Sequence, residues 1–142
     1  MSKMAIVYWS GTGNTEAMAQ AIAEGAKSAG AEVALMTVSE AGDDLVKNYD
    51  HLALGCPAMG AEVLEEMEFE PFFTALESRL SGKKLALFGS YGWGDGQWMR
   101  DWQDRANAAG ASLYEEGLMI NEAPDAEGLE TCKSFGSGFA SF

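Results

Sequence analysis

The chain has 142 residues, 47% of them hydrophobic and 22% charged, which is the size and balance of one soluble globular domain and excludes a disordered segment. Twenty-two acidic against nine basic residues give a formal net charge of −13, which argues against nucleic acids and anionic membranes as partners and favours a basic protein. No apolar run approaches the ~20 residues of a membrane helix, the N-terminus lacks a signal-peptide core, and two cysteines with one histidine cannot supply a zinc site. A cytoplasmic protein of one domain, residues 1–142, with Cys56 and Cys132 reduced, is the expectation.

Taken in chain order, apolar β-rich runs alternate with helical patterns. "MAIVYW", residues 4–9, reads as a buried strand. Met18, Ala19, Ile22, Ala26 and Ala29 then form a helical stripe over 14–29 that stops at Gly30. "EVALMTV", 32–38, is a second strand, followed by a polar, partly helical connection over 39–48. "HLALGC", 51–56, is the third. Phe69, Phe72, Phe73, Leu76 and Leu80 recur at helical spacing. "KLALFGS", 84–90, is the fourth strand, and Met99, Trp102 and Ala106 mark the next helix. "SLYEEGLMI", 112–120, reads as a fifth, more broken strand. Leu129, Cys132, Phe135 and Phe139 predict a closing helix. Cys132 on that apolar face and His51 at a strand start read as packing residues.

Five strands each followed by a helix predict a doubly wound α/β sandwich of three layers around a mostly parallel sheet. Strands one, three and four are nearly continuous apolar runs, as burial on both faces requires. Ligands of such sheets sit beyond the carboxyl ends of the strands, where strand order reverses. The loops after those three strands are therefore the candidate site.

The first loop, "YWSGTGNTEAM", 8–18, follows Trp9 and precedes a helix N-terminus. A helix start offers unpaired backbone N–H groups and about half a positive charge. Gly11 and Gly13 let the chain curl around an anion, and Ser10, Thr12, Asn14 and Thr15 add side-chain donors. Neither a Walker ending nor GxGxxG is present, and no Lys or Arg accompanies the loop. A single terminal phosphate suits it better than a triphosphate. The same residues also suit an ordinary capped turn, and the loop alone does not decide.

The second loop is "CPAMGAEVLEEMEFE", 56–70, and the third is "GSYGWGDGQWM", 89–99. The third places Tyr91, Trp93 and Trp98 among four glycines, where an exposed aromatic has no core to join and suits a flat ligand. Met59 in the second offers a soft, polarisable opposite wall, though methionine also fills gaps anywhere. A terminal phosphate and a planar ring between two walls describe flavin mononucleotide, FMN.

On "YWSGTGNTE", "GCPAMGAEVLEE", "FEPFF" and "LFGSYGWGDGQWMRDW" the chain resembles the flavodoxins, in the short-chain form familiar from anaerobic bacteria, nearly from end to end. The resemblance implies a flavodoxin-like five-stranded sheet of order 2-1-3-4-5 with FMN at the switch point, an arrangement of which flavodoxin is itself the type example. It further implies phosphate binding by Ser10, Gly11, Thr12, Gly13, Asn14 and Thr15, with Trp9 also in contact with the cofactor. Pro57, Ala58, Met59, Gly60, Ala61 and Glu62 would form the inner side of the ring site. Met59 would lie on the ring, Gly60 would supply the peptide that turns over on reduction, and Glu62 would accept from the ring N3–H. Backbone groups of Ser90, Tyr91, Gly92, Trp93, Gly94 and Asp95 would contact the pyrimidine end, with Trp93 on the outer face of the ring and Tyr91 supporting the loop. Asn121 would reach the ribityl chain. Ala61 stands where relatives often carry Asp or Gly.

The implied function is a low-potential one-electron carrier that shuttles non-covalently bound FMN between semiquinone and hydroquinone and serves redox proteins with basic docking surfaces, as a monomer. The reduced ring is anionic and would sit near Glu62, Glu65, Glu66, Glu68 and Asp95. A unit charge ~10 Å away costs about 0.4 kcal/mol in water and about 1.7 kcal/mol at an effective dielectric of 20. A few such charges, if unpaired, lower the second potential by roughly 50–150 mV. The same cluster would serve docking, or simply favour a helix start. The alternative is a catalytic flavoprotein, a quinone reductase or an activator of ribonucleotide reductase, which needs an open ring face or extra segments. A phosphatase lacks its Cys-x5-Arg here, and a receiver module lacks its Asp at the end of strand three.

Overall fold

The structure is a computed structural model and describes residues 2–42 and 44–142. Its centre is β1 (Lys3–Tyr8), β3 (His51–Gly55) and β4 (Lys84–Tyr91), all mutually parallel. Outside them lie β2 (Glu32–Thr37) against β1, and β5 (Ser112–Leu113) and β6 (Leu118–Asn121) against β4. The order is β2-β1-β3-β4-β5, with β6 continuing the β5 position. This is the predicted doubly wound order.

The broken fifth strand divides where its backbone cannot stay extended. Glu115 takes φ 49°, and Gly117 lies so close to Met99 that a Cβ there would stand 2.2 Å from the sulfur. Both pieces still pair with β4, so the sheet keeps five positions. The second strand ends one residue early, at Thr37, because Thr37 and Glu40 form a capping box that opens a 3-10 turn over Val38–Glu40. The connection predicted over 39–48 holds that turn and α2 (Leu45–Asn48), and Asp43 within it lies outside the described residues.

Side chains of the central strands alternate between two buried faces, which is why the runs read as continuous rather than as apolar–polar alternation. Ala5, Val7, Leu52, Leu54, Leu85 and Leu87 face α3 (Phe69–Glu77) and α4 (Gln97–Ala108). Met4, Ile6, Tyr8, Ala53, Ala86 and Phe88 face α1 (Asn14–Ser28) and α5 (Ala126–Ala140). Each fully buried Leu or Phe contributes about 1.5–3 kcal/mol. Phe69 and Phe73 meet the edge of Trp102, joining α3 to α4. Arg105 of α4 reinforces that joint: its guanidinium bonds Glu70 at 2.7 and 2.8 Å and Glu77 at 2.9 and 3.2 Å, over the Phe73 ring. His51 and Cys132 are buried packing residues, and both cysteines are free thiols.

Candidate functional site

Strand β1 delivers Trp9 to the switch point, where its N–H bonds the Gly55 carbonyl of β3 at 3.0 Å. The chain then turns through Ser10–Gly13 into α1. Gly13 holds φ 93°, a left-handed conformation costly for any residue with a Cβ, and no side chain caps the helix from that position. Nothing lies within 4 Å of where a Cβ of Gly13 would be, so the mouth of the loop is open. Ser10 Oγ accepts from the Gly13 and Glu16 amides at 3.1 and 3.3 Å, which leaves its own proton to donate. Gly11 and Thr12 are exposed, and Asn14 is half-buried. Thr15 is buried at the start of α1; its hydroxyl accepts from the Ser90 amide at 3.4 Å, which joins α1 to β4 and leaves its own proton to donate.

The second loop leaves β3 at Cys56. Ala58 N–H bonds the Ser90 carbonyl at 3.0 Å, and Met59 and Val63 exchange two backbone bonds of 2.8 and 2.9 Å. Gly60, Ala61 and Glu62 form the tip of that closed turn, with φ 49° at Gly60 and 56° at Glu62. The Cys56 thiol is pushed up to about 12 by burial and stays protonated. Glu62 reaches across to the third loop, where its Oε1 accepts from the Gly96 and Gln97 amides at 3.2 and 3.1 Å, at the start of α4. Gly94, at φ 89°, allows this crossing, since a Cβ there would stand 2.5 Å from the Glu62 carboxyl carbon.

In the third loop Trp93 is 67% exposed, so it is not buried beneath its own loop. Trp98 is the opposite: it opens α4, is fully buried, and its Nε1 donates to the Cys56 carbonyl at 3.1 Å. Tyr91 is half-buried, tilted against Trp98 at 5.7 Å, and its carbonyl accepts from Asn121 Nδ2 at 3.2 Å and Glu122 N–H at 2.7 Å. Tyr91 thus ties the third loop to α4 through its ring and to the end of β6 through its carbonyl.

Between the loops lies a cavity of about 260 Å³. Trp9, Gly11, Thr12 and Asn14 line it from the first loop, Pro57, Ala58 and Met59 from the second, and Ser90, Tyr91 and Gly92 from the third. Residues singled out in three loops far apart in the chain therefore meet at one place. Trp93, Gly94, Asp95, Gly60, Ala61 and Glu62 stand in its rim loops rather than in its lining. Glu122 completes the lining, and the sequence reading does not single it out. Its signal is its position directly after β6, at the carboxyl end of the sheet; its φ of 57° and the Ser90 Oγ bond to its carbonyl, 2.7 Å, emerge only on folding.

The acidic rim is less unpaired than its sequence suggests. Glu65 is buried with three backbone amides on its carboxylate. Asp95 pairs with Arg100 at 2.9 Å, and Glu62 rests on two amides of α4. Glu66 and Glu68 are exposed. Amide bonds stabilise the carboxylates without cancelling their charge, so the field stays negative, but Arg100 offsets Asp95. Burial would raise Glu65, yet the amides of Phe69, Glu68 and Met67 outweigh it and hold the group below the ordinary glutamate range. Behind the first loop, burial and the neighbouring Glu16 push Tyr8 upward; its hydroxyl donates to Glu16 at 3.0 Å. No helix among the described residues is long and apolar enough to cross a membrane.

A family model described as Flavodoxin matches residues 6–136. The flavodoxin of Clostridium beijerinckii is 53% identical over 137 residues, covering 96% of this chain and 99% of that protein. That of Megasphaera elsdenii is 49% identical over 135 residues, covering 95% and 96%. The solution structure of two-electron reduced Megasphaera elsdenii flavodoxin matches with a TM-score of 0.88 at 48% identity, over 98% of this chain and 99% of that one. A flavodoxin from the domain Archaea matches with a TM-score of 0.89 at 28% identity, over 98% and 96%. Each of these flavodoxins is matched over nearly its whole length.

Proposed function

This chain belongs to the flavodoxin family, and from that premise we propose that residues 1–142 act as a single FMN-binding domain carrying electrons one at a time between other proteins. The observation that carries the reading is the cavity at the switch point. It runs from the start of α1, where Gly13 brings no side chain and Ser10 Oγ takes only the Gly13 and Glu16 amides, to an apolar wall at Pro57–Met59, which is the division of polarity that FMN has between phosphate and ring. The space over Gly13, Gly60 and Gly92 is open, so the residues present fit the group.

FMN, when bound, supplies the redox chemistry. The chain does the rest. Backbone amides and hydroxyls of Ser10–Asn14 hold the phosphate with the dipole of α1 behind them, and Thr15 keeps that helix start against β4. Met59 forms the inner wall, and the exposed Trp93 closes as the outer one, excluding water from the ring. Gly60, at the tip of its loop, would accept a hydrogen bond from the ring through its carbonyl. Glu62 holds the two ring-bearing loops together and has its Oε2 left to accept the ring imide. The Pro57–Ala61 and Ser90–Asp95 backbones frame the two sides. The exposed Glu66 and Glu68 and the overall charge of −13 keep the second potential low and suit basic redox partners. A monomer working in the cytoplasm completes the proposal.

Reconstitution with FMN tests it. One FMN per chain and two resolved one-electron steps on reductive titration are expected. A protein that stays colourless after exposure to excess FMN overturns the reading, and rapid turnover of a quinone with a nicotinamide donor and no partner protein replaces it with the catalytic one.

A further inference from the structure

We propose that Glu65 is the positioning residue of the inner wall, an assignment that rests on the FMN reading above. Glu65 does not touch the cavity. It is 6% exposed, and every polar group it has is engaged. Its N–H donates to the Cys56 sulfur at 3.3 Å, and its carbonyl accepts from Glu70 N–H at 2.8 Å. Its Oε2 accepts from Met67 N–H at 2.7 Å, and its Oε1 from Glu68 and Phe69 N–H at 2.7 and 2.8 Å. The Cys56 thiol in turn donates to the Pro57 carbonyl at 3.6 Å. A single residue thus caps α3 and shuts the base of the loop that begins at Cys56.

The consequence for the loop is a division of labour. From Pro57 to Leu64 the chain is pinned at both ends, by the Cys56–Glu65 contact and by Ala58 on Ser90. Met59 and Val63 close the ladder inside it. What remains able to change conformation is the tip, Gly60–Ala61–Glu62, where two residues hold positive φ. Ordering additional residues would add an entropic cost to each conformational change at the tip. A rigid base confines that change to three residues, so the hydrogen bond offered by Gly60 answers to the ring and not to loop motion.

Three amides converging on one side chain require a group with acceptors only, which a carboxylate is and an amide is not. Glu65→Gln keeps the shape but turns an NH2 toward one of those amides. Glu66→Gln removes the same charge from an exposed neighbour and serves as the electrostatic control. In the FMN-loaded protein, Glu65→Gln should weaken FMN binding about tenfold, the size of one buried amide left unpaired, and shift the first one-electron potential. Glu66→Gln should leave affinity within about twofold, as a surface change does, and move only the second potential. Equal behaviour of the two variants overturns the proposal. Should Glu65→Gln not fold, amide hydrogen exchange in the wild-type protein decides. Without FMN, the amides of Glu65, Met67, Glu68 and Phe69 should be protected while those of Ala61 and Glu62 exchange freely and gain protection when FMN is added. Uniform exchange across residues 57–69 in the FMN-free protein overturns the anchor. If wild-type protein takes up no FMN, the functional reading fails, and the same FMN-free exchange pattern still tests the anchor by itself.

Discussion

The indole N–H of Trp98 donates to the Cys56 carbonyl at 3.1 Å, so the helix after the outer loop is fastened to the strand end from which the inner loop departs. The bond is buried, and neither partner can turn to water instead. Trp98→Phe leaves the Cys56 carbonyl without its donor and should destabilise the FMN-free protein by about 1–3 kcal/mol. Urea denaturation followed by far-ultraviolet circular dichroism measures this, with the midpoint falling and the slope unchanged.

Trp93 lies in the same loop under opposite conditions. At 67% exposure it contributes little to folding, so Trp93→Ala should leave stability within about 0.5 kcal/mol. FMN binding should nevertheless weaken by about 0.5–1.5 kcal/mol or more, the range of an aromatic stacking contact, and the second potential should rise as water reaches the ring. Fluorescence quenching and a reductive titration report the two effects separately.

Gly94 lets Glu62 cross to α4. Gly94→Ala places a Cβ 2.5 Å from the Glu62 carboxyl carbon and forces a side chain into φ 89°. A cost of about 1–3 kcal/mol is expected, with FMN affinity falling as Glu62 leaves the Gly96 and Gln97 amides. Exchange of those two amides should speed up in the variant.

Thr12 is exposed at the mouth of the phosphate loop, which carries no cation. Thr12→Lys should tighten FMN binding and raise the second potential by roughly 20–70 mV, the effect of one charge near 10 Å between the dielectric limits of water and a protein surface. An unmoved potential would mean that the missing cation has no electrostatic role.

Glu65 and Glu70 are among the carboxylates that make stability depend on acid. The Arg105 guanidinium holds Glu70 below the ordinary glutamate range, and the amides of residues 67–69 do the same for Glu65 against its burial. A depressed folded value means that the stabilisation is complete above the unfolded glutamate value, about 4.3, and is lost as pH falls through the folded values. Stability should therefore be flat from pH 7 to about 5 and fall steeply below about 4.3. Glu65→Gln should flatten that acid limb, as followed by denaturant midpoints across pH.

The sheet order and the three site loops are legible in the sequence because they follow from local chemistry. Buried parallel strands must be apolar on both faces, as "HLALG" of β3 is, and a helix start after a Gly-rich turn offers amides whatever surrounds it. Met59, Trp9 and Tyr91 are legible for the same reason, each lying in or at a loop that leaves a carboxyl end. What only the tertiary structure decided are the partners reached across the chain. The Thr15 hydroxyl accepts from the Ser90 amide, 75 positions on, a partner that the loop sequence does not name. Glu122 rather than Asn121 lines the cavity, while Asn121 Nδ2 donates to the Tyr91 carbonyl 30 positions away. The acidic cluster over 62–70 reads as unpaired charge near the ring, a docking surface or a helix start, and its sequence does not reveal that Glu65 is buried and that Glu62 crosses to α4. Hydrophobic periodicity is a property of neighbouring residues and survives in one dimension. Which polar group satisfies which is settled by distance in space, and a carboxylate's role at this site depends on the amides that folding places around it.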